Sequence, residues 1–368
     1  MEHSEILKIY GTDYREMTLE LLNRADLRGL LPEKKSCRIG IKPNLVSATP
    51  ASYGATTHPE IVSGIVEYLQ RYGYQNLVIA EGSWVGDATA RSAQVCGYDK
   101  LALRYGVEFL DTQKDASFEK DCAGLKLNLC RCVRDFDFLI NVPVLKGHCQ
   151  TRITCALKNM KGLIPNREKR RFHSMGLHKP IAHLNAGIRQ DFIVVDHICG
   201  DLDFEDGGNP VVRNCIMAAR DPVLVDAHVC QLLHYTVEDV PYIRLAENLG
   251  IGCADVSQAK ITVCGQAPGQ DELPREHKIV ELADAVSEVD SCSACYGYLI
   301  PALEMLRQEG LLEKLDEKIC IGQGYQGKTG RLGIGRCTSG FTCSLKGCPP
   351  TEGQIYEFLK NYLQHLVL

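Results

Sequence analysis

The sequence predicts an α/β protein, with a mixed, largely parallel sheet covered by helices and a smaller cysteine-rich C-terminal α/β segment. Three observations predict it. Short apolar, strand-like runs alternate with helix-like runs over the first two-thirds of the chain, the pattern that lays helices against a parallel sheet. Several of those runs end in polar residues, and ligands of such sheets gather at the carboxyl ends of strands. Beyond Gly265–Glu276, a stretch with two prolines, two glycines and four charges, six cysteines crowd the remaining residues. That stretch reads as a linker. It separates an α/β domain over residues 1–265 from a cysteine-rich segment over residues 277–368. No internal repeat or low-complexity tract is apparent.

The elements follow in order. Arg38–Asn44 reads as a strand that Pro43 ends, because proline removes a ladder donor. In His58–Tyr72, Ile61, Ile65, Val66 and Leu69 recur at amphipathic-helix spacing. Asn76–Gly82, Phe138–Val144 and Phe192–Asp196 are short apolar runs of buried-strand type. A helix is predicted over Pro222–Leu233, with Asp221 as its N-cap and Pro222 at the first helical position. Thr151–Lys161 is predicted helical and capped by Gly162, with Thr154, Lys158 and Lys161 on one face.

At 368 residues and 40.8 kDa the chain is long enough for two domains, and its fold needs no disulfides or metals to bury a sufficient core. The N-terminal residues carry no basic-then-apolar leader pattern and no apolar run reaches membrane-spanning length, so a cytoplasmic protein without membrane contact is expected. A net charge of −5 and a pI near 6.1 argue against nucleic-acid binding. The charge is uneven, however. Lys146–Lys179 holds nine Lys or Arg and one acid, Glu168. A cationic patch on an acidic protein points to a specific anionic small molecule as partner.

Eighteen cysteines without a secretion signal read as thiols, metal ligands or catalytic groups rather than disulfides. Cys199, Cys215, Cys230 and Cys264 sit in apolar runs and read as small core residues. The C-terminal series Cys292-x2-Cys295, Cys337, Cys343 and Cys348-Pro349-Pro350 is different. A CxxC pair presents two thiolates from one turn, and Cys-Pro ends bacterial ferredoxin runs. A [4Fe–4S] cluster fits best, zinc is the runner-up, and a redox dithiol at Cys292 and Cys295 is third. Cys292, Cys295, Cys337 and Cys348 are the predicted ligands. Cys337 is preferred to Cys343 for its turn-prone, glycine-flanked setting, and Cys320 reads as a strand core residue.

The basic stretch and the polar strand ends supply the other candidates. Lys146, His148, Lys158 and His58 are predicted catalytic residues, and Lys42, Asn44, Thr154, Asn159, Lys161 and His173 are predicted to bind substrate. Glu81, after its strand, is a further candidate, with a surface acid as the alternative reading, and Asp196, Asp221 and Asp226 are possible carboxylates of which Asp221 is a helix cap. No P-loop, G-x-S-x-G, H-E-x-x-H or dinucleotide fingerprint is present.

Ile41-Lys42-Pro43-Asn44, Thr57-His58-Pro59-Glu60, Asn141-Val142-Pro143-Val144-Leu145-Lys146, Ala156-Leu157-Lys158-Asn159-Met160-Lys161-Gly162 and Asp221-Pro222-Val223-Leu224-Val225-Asp226 together resemble the domain-of-unknown-function family 362, over about residues 38–265. Members of that family often occur beside or fused to iron–sulfur segments. The tail here is similar to a C-terminal extension found in some members but lacks the compact C-x2-C-x2-C-x3-C string of a fused ferredoxin. The resemblance leans toward Cys337 as a ligand. The expectation is an iron–sulfur protein acting as a cluster-dependent enzyme, redox chemistry favoured, on an anionic small molecule, with a ferredoxin-like electron donor as a further partner. A non-catalytic electron carrier, and an isomerase, racemase or lyase with a structural cluster, are the alternatives.

Overall fold

Eight strands form the central sheet of the computed structural model, which describes residues 1–365 apart from Asp206, 266–272 and 274–277. Most of the linker expected at Gly265–Glu276 therefore lies outside the described residues. The strands run in the order Lys260–Cys264, Glu5–Tyr10, Pro210–Ala219, Phe192–Asp201, Phe138–Val142, Ile39–Pro43, Leu77–Glu81 and Glu108–Asp111. Pro210–Ala219 runs antiparallel to both neighbours and every other pair is parallel, so the sheet is mixed and largely parallel. Alternation sorts the core. Val78 and Ala80 face one apolar layer while Leu77 and Ile79 face the other, because successive strand residues point to opposite faces.

The Pro59–Arg71 helix buries Ile61, Val62, Ile65, Val66 and Leu69 against the sheet, each contributing roughly 1.5–3 kcal/mol. The Pro222–Leu232 helix starts where the sequence places it: the Asp221 carboxylate accepts from Val223 N at 2.8 Å and Leu224 N at 3.0 Å. From Ile39–Pro43 the chain builds outward through Leu77–Glu81 and Glu108–Asp111, then returns to lay Phe138–Val142 on the other side. The strand order reverses there, and the crevice outside Pro43 and Val142 is where such a sheet receives ligands.

A second sheet is wholly parallel and built from three-residue strands, in the order Val286–Glu288, Ile319–Ile321, Leu332–Ile334 and Cys343–Leu345. The Ser293–Gln308 and Glu352–His365 helices share a core with it, Leu299, Leu303 and Leu306 joining Ile355, Leu359 and Leu363. Here the sequence reading is corrected. Ile321-Gly322-Gln323-Gly324 and Ile334-Gly335-Arg336-Cys337 are successive copies of one unit, a strand, a glycine at positive φ (+120° and +91°) and a 3₁₀ turn, with Ile321 and Ile334 in register. Cys320 lies in a strand but not in its core: the buried neighbours Ile319 and Ile321 point inward, so the side chain between them points outward and is half-buried. Among the described residues no helix is long and apolar enough to cross a membrane.

Candidate functional site

Lys42 ends its strand fully buried, and Glu81 ends the neighbouring strand. The two form an ion pair, and Lys42 Nζ also donates to Pro43 O at 2.6 Å and Asn159 Oδ1 at 3.4 Å. Glu81 accepts in addition from Gly82 N at 2.6 Å and Leu45 N at 3.2 Å, so Glu81 is a buried member of the site and not a surface acid. Asn159 returns hydrogen bonds to Lys42 O at 3.2 Å and Asn141 Oδ1 at 2.7 Å. Asn44 N donates to Thr57 Oγ1, which donates to Val142 O, both at 2.8 Å.

The predicted helix over Thr151–Lys161 is a correction. Arg152–Thr154 is a strand that pairs with Lys146–His148, setting Lys146 opposite Thr154. Only Ala156–Asn159 is α-helical, and Met160–Leu163 continues it as a 3₁₀ turn. The helix starts late because its N-cap comes from elsewhere: Asp226, buried in the Pro222–Leu232 helix, accepts from Ala156 N at 2.7 Å and Leu157 N at 3.1 Å. Burial pushes the Asp226 carboxyl up to about 7 against those two donors. Gly162 does not cap a helix, and a Cβ there would strike both Lys42 and Glu81.

These elements line a half-open cleft. Asn44, Lys146, Thr154, Lys158, Asn159, Lys161 and His173 line it, with Glu81, Trp84, Lys169, Arg170 and Glu205, and Cys292 and Ala294 form part of its wall. Five cationic side chains and two carboxylates line it among the described residues, an excess of positive charge. Three of its lysines are tied down. Lys146 Nζ donates to Ala55 O at 2.8 Å and Glu205 O at 2.6 Å. Lys158 Nζ reaches Thr154 Oγ1 at 3.2 Å and Glu205 Oε1 at 3.1 Å. Lys169 Nζ donates to Gly82 O at 2.8 Å and Ser83 O at 2.7 Å. Lys161 Nζ has no hydrogen bond or ion pair among the described residues. Burial and the neighbouring Lys158 charge pull its ammonium down to about 7, and burial pulls Lys169 to about 8.

His148, Lys42 and His58 do not line the cleft. His148 lies behind Glu205. Its Nδ1 accepts from Gln150 N at 3.0 Å and Thr151 N at 3.1 Å, so Nε2 carries the proton and points it at Glu205 Oε2, 2.8 Å away though poorly aligned. Burial holds the imidazole neutral, down to about 3. His148, Cys149 and Glu205 bring ligand-type atoms within 4.8 Å of one another, but that tautomer offers a proton to the group instead of a lone pair.

His58 forms a separate buried cluster. Its Nδ1 and backbone N both lie 2.8 Å from Asp196 Oδ2, and Nε2 lies 3.8 Å from Cys199 Sγ. Burial opposes the imidazolium, yet Asp196 and Cys199 hold it up to about 10. Stability from this pair is full below the ordinary histidine value of 6.5 and is lost as pH rises through 10. Denaturant unfolding should therefore weaken by up to about 1.4 kcal/mol per pH unit between those limits, and His58→Asn should flatten that slope. An unchanged slope in the variant would assign the titration elsewhere.

Cys292 caps the Ser293–Gln308 helix, Cys295 sits in its first turn, Cys337 in the Arg336–Thr338 turn, and Cys348 follows the last strand of the second sheet. Burial, then Cys337 and Cys348, raise the Cys292 thiol; burial, then Cys292, Cys348 and Cys337, push Cys295 up to about 12. Cys337 and Cys348 are thus near enough to act on both members of the CxxC pair. Gln323 Nε2 donates to Cys292 Sγ at 3.8 Å and Gln326 Nε2 to Cys337 Sγ at 3.5 Å. A Cβ at Gly335 would lie 3.8 Å from Cys295 Sγ. Thiol groups gathered in this way are a metal-binding donor set.

Lys169 and Arg170 fall in the basic stretch expected to bind, whereas Glu205 and Trp84 are not singled out from the sequence. The signal for Glu205 was an acidic run beside glycines, Asp201–Gly208, and the signal for Glu81 was a lone charge closing an apolar strand.

A thylakoid-associated protein of Synechocystis sp., sll1697, is 23% identical over 226 residues, covering 59% of this chain and 70% of the relative. Among solved structures, the lactate racemase apoprotein from Thermoanaerobacterium thermosaccharolyticum superposes with a TM-score of 0.42 at 12% identity. That match covers 62% of this chain and 56% of the other, so this chain spans little more than half of that enzyme, and the likeness is too slight to carry chemistry across. The family model described as Domain of unknown function (DUF362) matches residues 39–231. With more than half of its length matched, including the strand ends and the Lys146–Lys161 segment of the cleft, the chain belongs to the DUF362 family.

Proposed function

We propose that this protein is an iron–sulfur enzyme acting on an anionic small molecule, with Cys292, Cys295, Cys337 and Cys348 holding a [4Fe–4S] cluster and Lys158 and Lys161 holding the substrate. The observation that carries the reading is Cys292, which belongs to the gathered thiols and also lines the cationic cleft. In this reading residues 1–265 bind substrate and residues 277–368 bind the cluster.

The donor set suits the group. Two thiols come from one CxxC turn and a third is followed by proline, the ligand pattern of a cysteine-bound cluster. The first turn of the Ser293–Gln308 helix turns free N–H groups and the positive end of its dipole toward Cys292, and Lys161 and Arg170 add charge there. When bound, such a cluster supplies single electrons. Four thiolates leave no iron open to substrate, which favours redox over Lewis-acid chemistry, and a ferredoxin-like protein is the donor this requires.

The chain's own residues do the rest. Lys158, fixed by Thr154 and Glu205, orients an anionic oxygen, and Lys161 adds a mobile charge-assisted hydrogen bond. The wall bearing Trp84 and Ala294 restricts water. Protein purified without oxygen should contain iron and acid-labile sulfide in equal amounts. Both should be lost in Cys348→Ser and kept in Cys343→Ser. Zinc without sulfide overturns the cluster, and a loaded protein that binds no small anion is an electron carrier.

A further inference from the structure

We propose that Trp84 donates its indole N–H to a sulfur of the cluster and thereby sets the reduction potential. The inference rests on the cluster reading above. Trp84 is the chain's single tryptophan. It lies beyond the Leu77–Glu81 strand, 8% exposed, and its Nε1 has no hydrogen-bond partner. The backbone of the residue is fully engaged: its N donates to Val46 O at 3.0 Å, and its O accepts from Asp87 N and Gln113 Nε2, both at 3.3 Å. The orphan is the indole donor alone. Burying such a donor unmatched costs roughly 1–3 kcal/mol, a cost that an apolar side chain would avoid.

The surroundings identify the acceptor. The ring meets Tyr298 edge-on at 5.2 Å between centroids and lies 3.3 Å from where a Cβ on Gly297 would stand, so it packs on the helix that carries Cys292 and Cys295. The Cβ position of Gly86 lies 3.5 Å from Trp84 Nε1, 3.5 Å from Pro349 Cγ and 3.6 Å from Ala294 Cβ. Ala294 stands between Cys292 and Cys295, and Pro349 follows Cys348. The indole nitrogen therefore sits among the flanks of three of the four thiols. Reduction adds one electron to the cluster and makes its sulfurs stronger acceptors. A fixed N–H favours that state, because hydrogen bonds to sulfur are among the levers on cluster potential.

The test uses the full chain with its cluster assembled, titrated against potential by electron paramagnetic resonance. Wild type, Trp84→Phe, and a chain with benzothienylalanine at position 84, which keeps the bicyclic shape but lacks the N–H, are compared. At the wild-type midpoint the ratio of reduced to oxidised cluster should fall about tenfold in both, about 59 mV for a one-electron couple, with iron content unchanged. In wild type, cluster assembly should quench the single tryptophan emission. Labelling the indole with heavy nitrogen should give a hyperfine coupling in the reduced cluster, a readout that does not depend on either variant loading. Equal potentials at equal iron content, or no coupling, overturn the inference while the cluster stands. So does a variant that loses only small-anion affinity, since the N–H would then serve the substrate. Wild-type protein that assembles no cluster defeats the reading and the inference together.

Discussion

Glu81→Ala is expected to cost about 3–5 kcal/mol of folding stability, the usual penalty for stranding one member of a buried ion pair. Lys42 is fully buried, and burial already drives its ammonium downward, with Glu81 as the chief opposing charge. Without the carboxylate the ammonium keeps only a carbonyl and an amide oxygen, Pro43 O and Asn159 Oδ1, and Leu45 N and Gly82 N lose their acceptor. Gly162 packs against the pair so closely that it has no room for a methyl group. Guanidinium unfolding should show the loss as a lower midpoint at unchanged slope. Lys42→Met combined with Glu81→Leu should recover part of it, since two apolar groups strand no charge. A single-mutant loss below about 1 kcal/mol would mean that the ammonium has found solvent.

Lys161→Met is expected to weaken binding of oxalate and inorganic phosphate about tenfold to a hundredfold, the scale of one charge-assisted hydrogen bond at 1.5–3 kcal/mol. It should leave unfolding nearly unchanged, because Lys161 Nζ bonds to no other described residue. Lys158→Met provides the contrast. It breaks the contact with Glu205 and should lower both affinity and stability. Calorimetric titration with each anion distinguishes the two lysines. Undiminished affinity in Lys161→Met would remove that residue from the site, and equal stability losses in the two variants would mean that Lys161 is structural.

Where local pattern decides structure, the sequence was readable. The strands at Ile39, Leu77, Phe138 and Phe192 are apolar runs with breakers at their ends, and the Pro59 and Pro222 helices carry proline at N1. The polar strand ends were legible too, whereas the switch between Ile39–Pro43 and Phe138–Val142 shows only in the strand order of the fold. Failures came where distant residues decide. Thr151–Lys161 has helical spacing, but the cap that starts its helix is Asp226, some seventy positions away. Gly162 looks like a helix stop, and its partners are Lys42 and Glu81. His58, at a helix start, reads as a catalytic candidate, yet Asp196 draws it into another cluster. The repeated unit at Ile321 and Ile334 escaped notice because Gly324 stands where its second copy has Cys337.

The strand order also governs how the chain must be made. Glu5–Tyr10 is made well before either of its neighbours: its nearest partner in sequence is Pro210–Ala219, and the other is Lys260–Cys264. At synthesis rates of roughly 5–20 residues per second, about 200 residues of delay leave that apolar ribbon waiting on the order of 10–40 s with both edges open. Unpaired edges of this kind invite pairing between nascent chains on neighbouring ribosomes. Lys8 stands in the middle of the ribbon, between Leu7 and Ile9. A charge inside an apolar strand of this kind disfavours edge-to-edge pairing with a second copy.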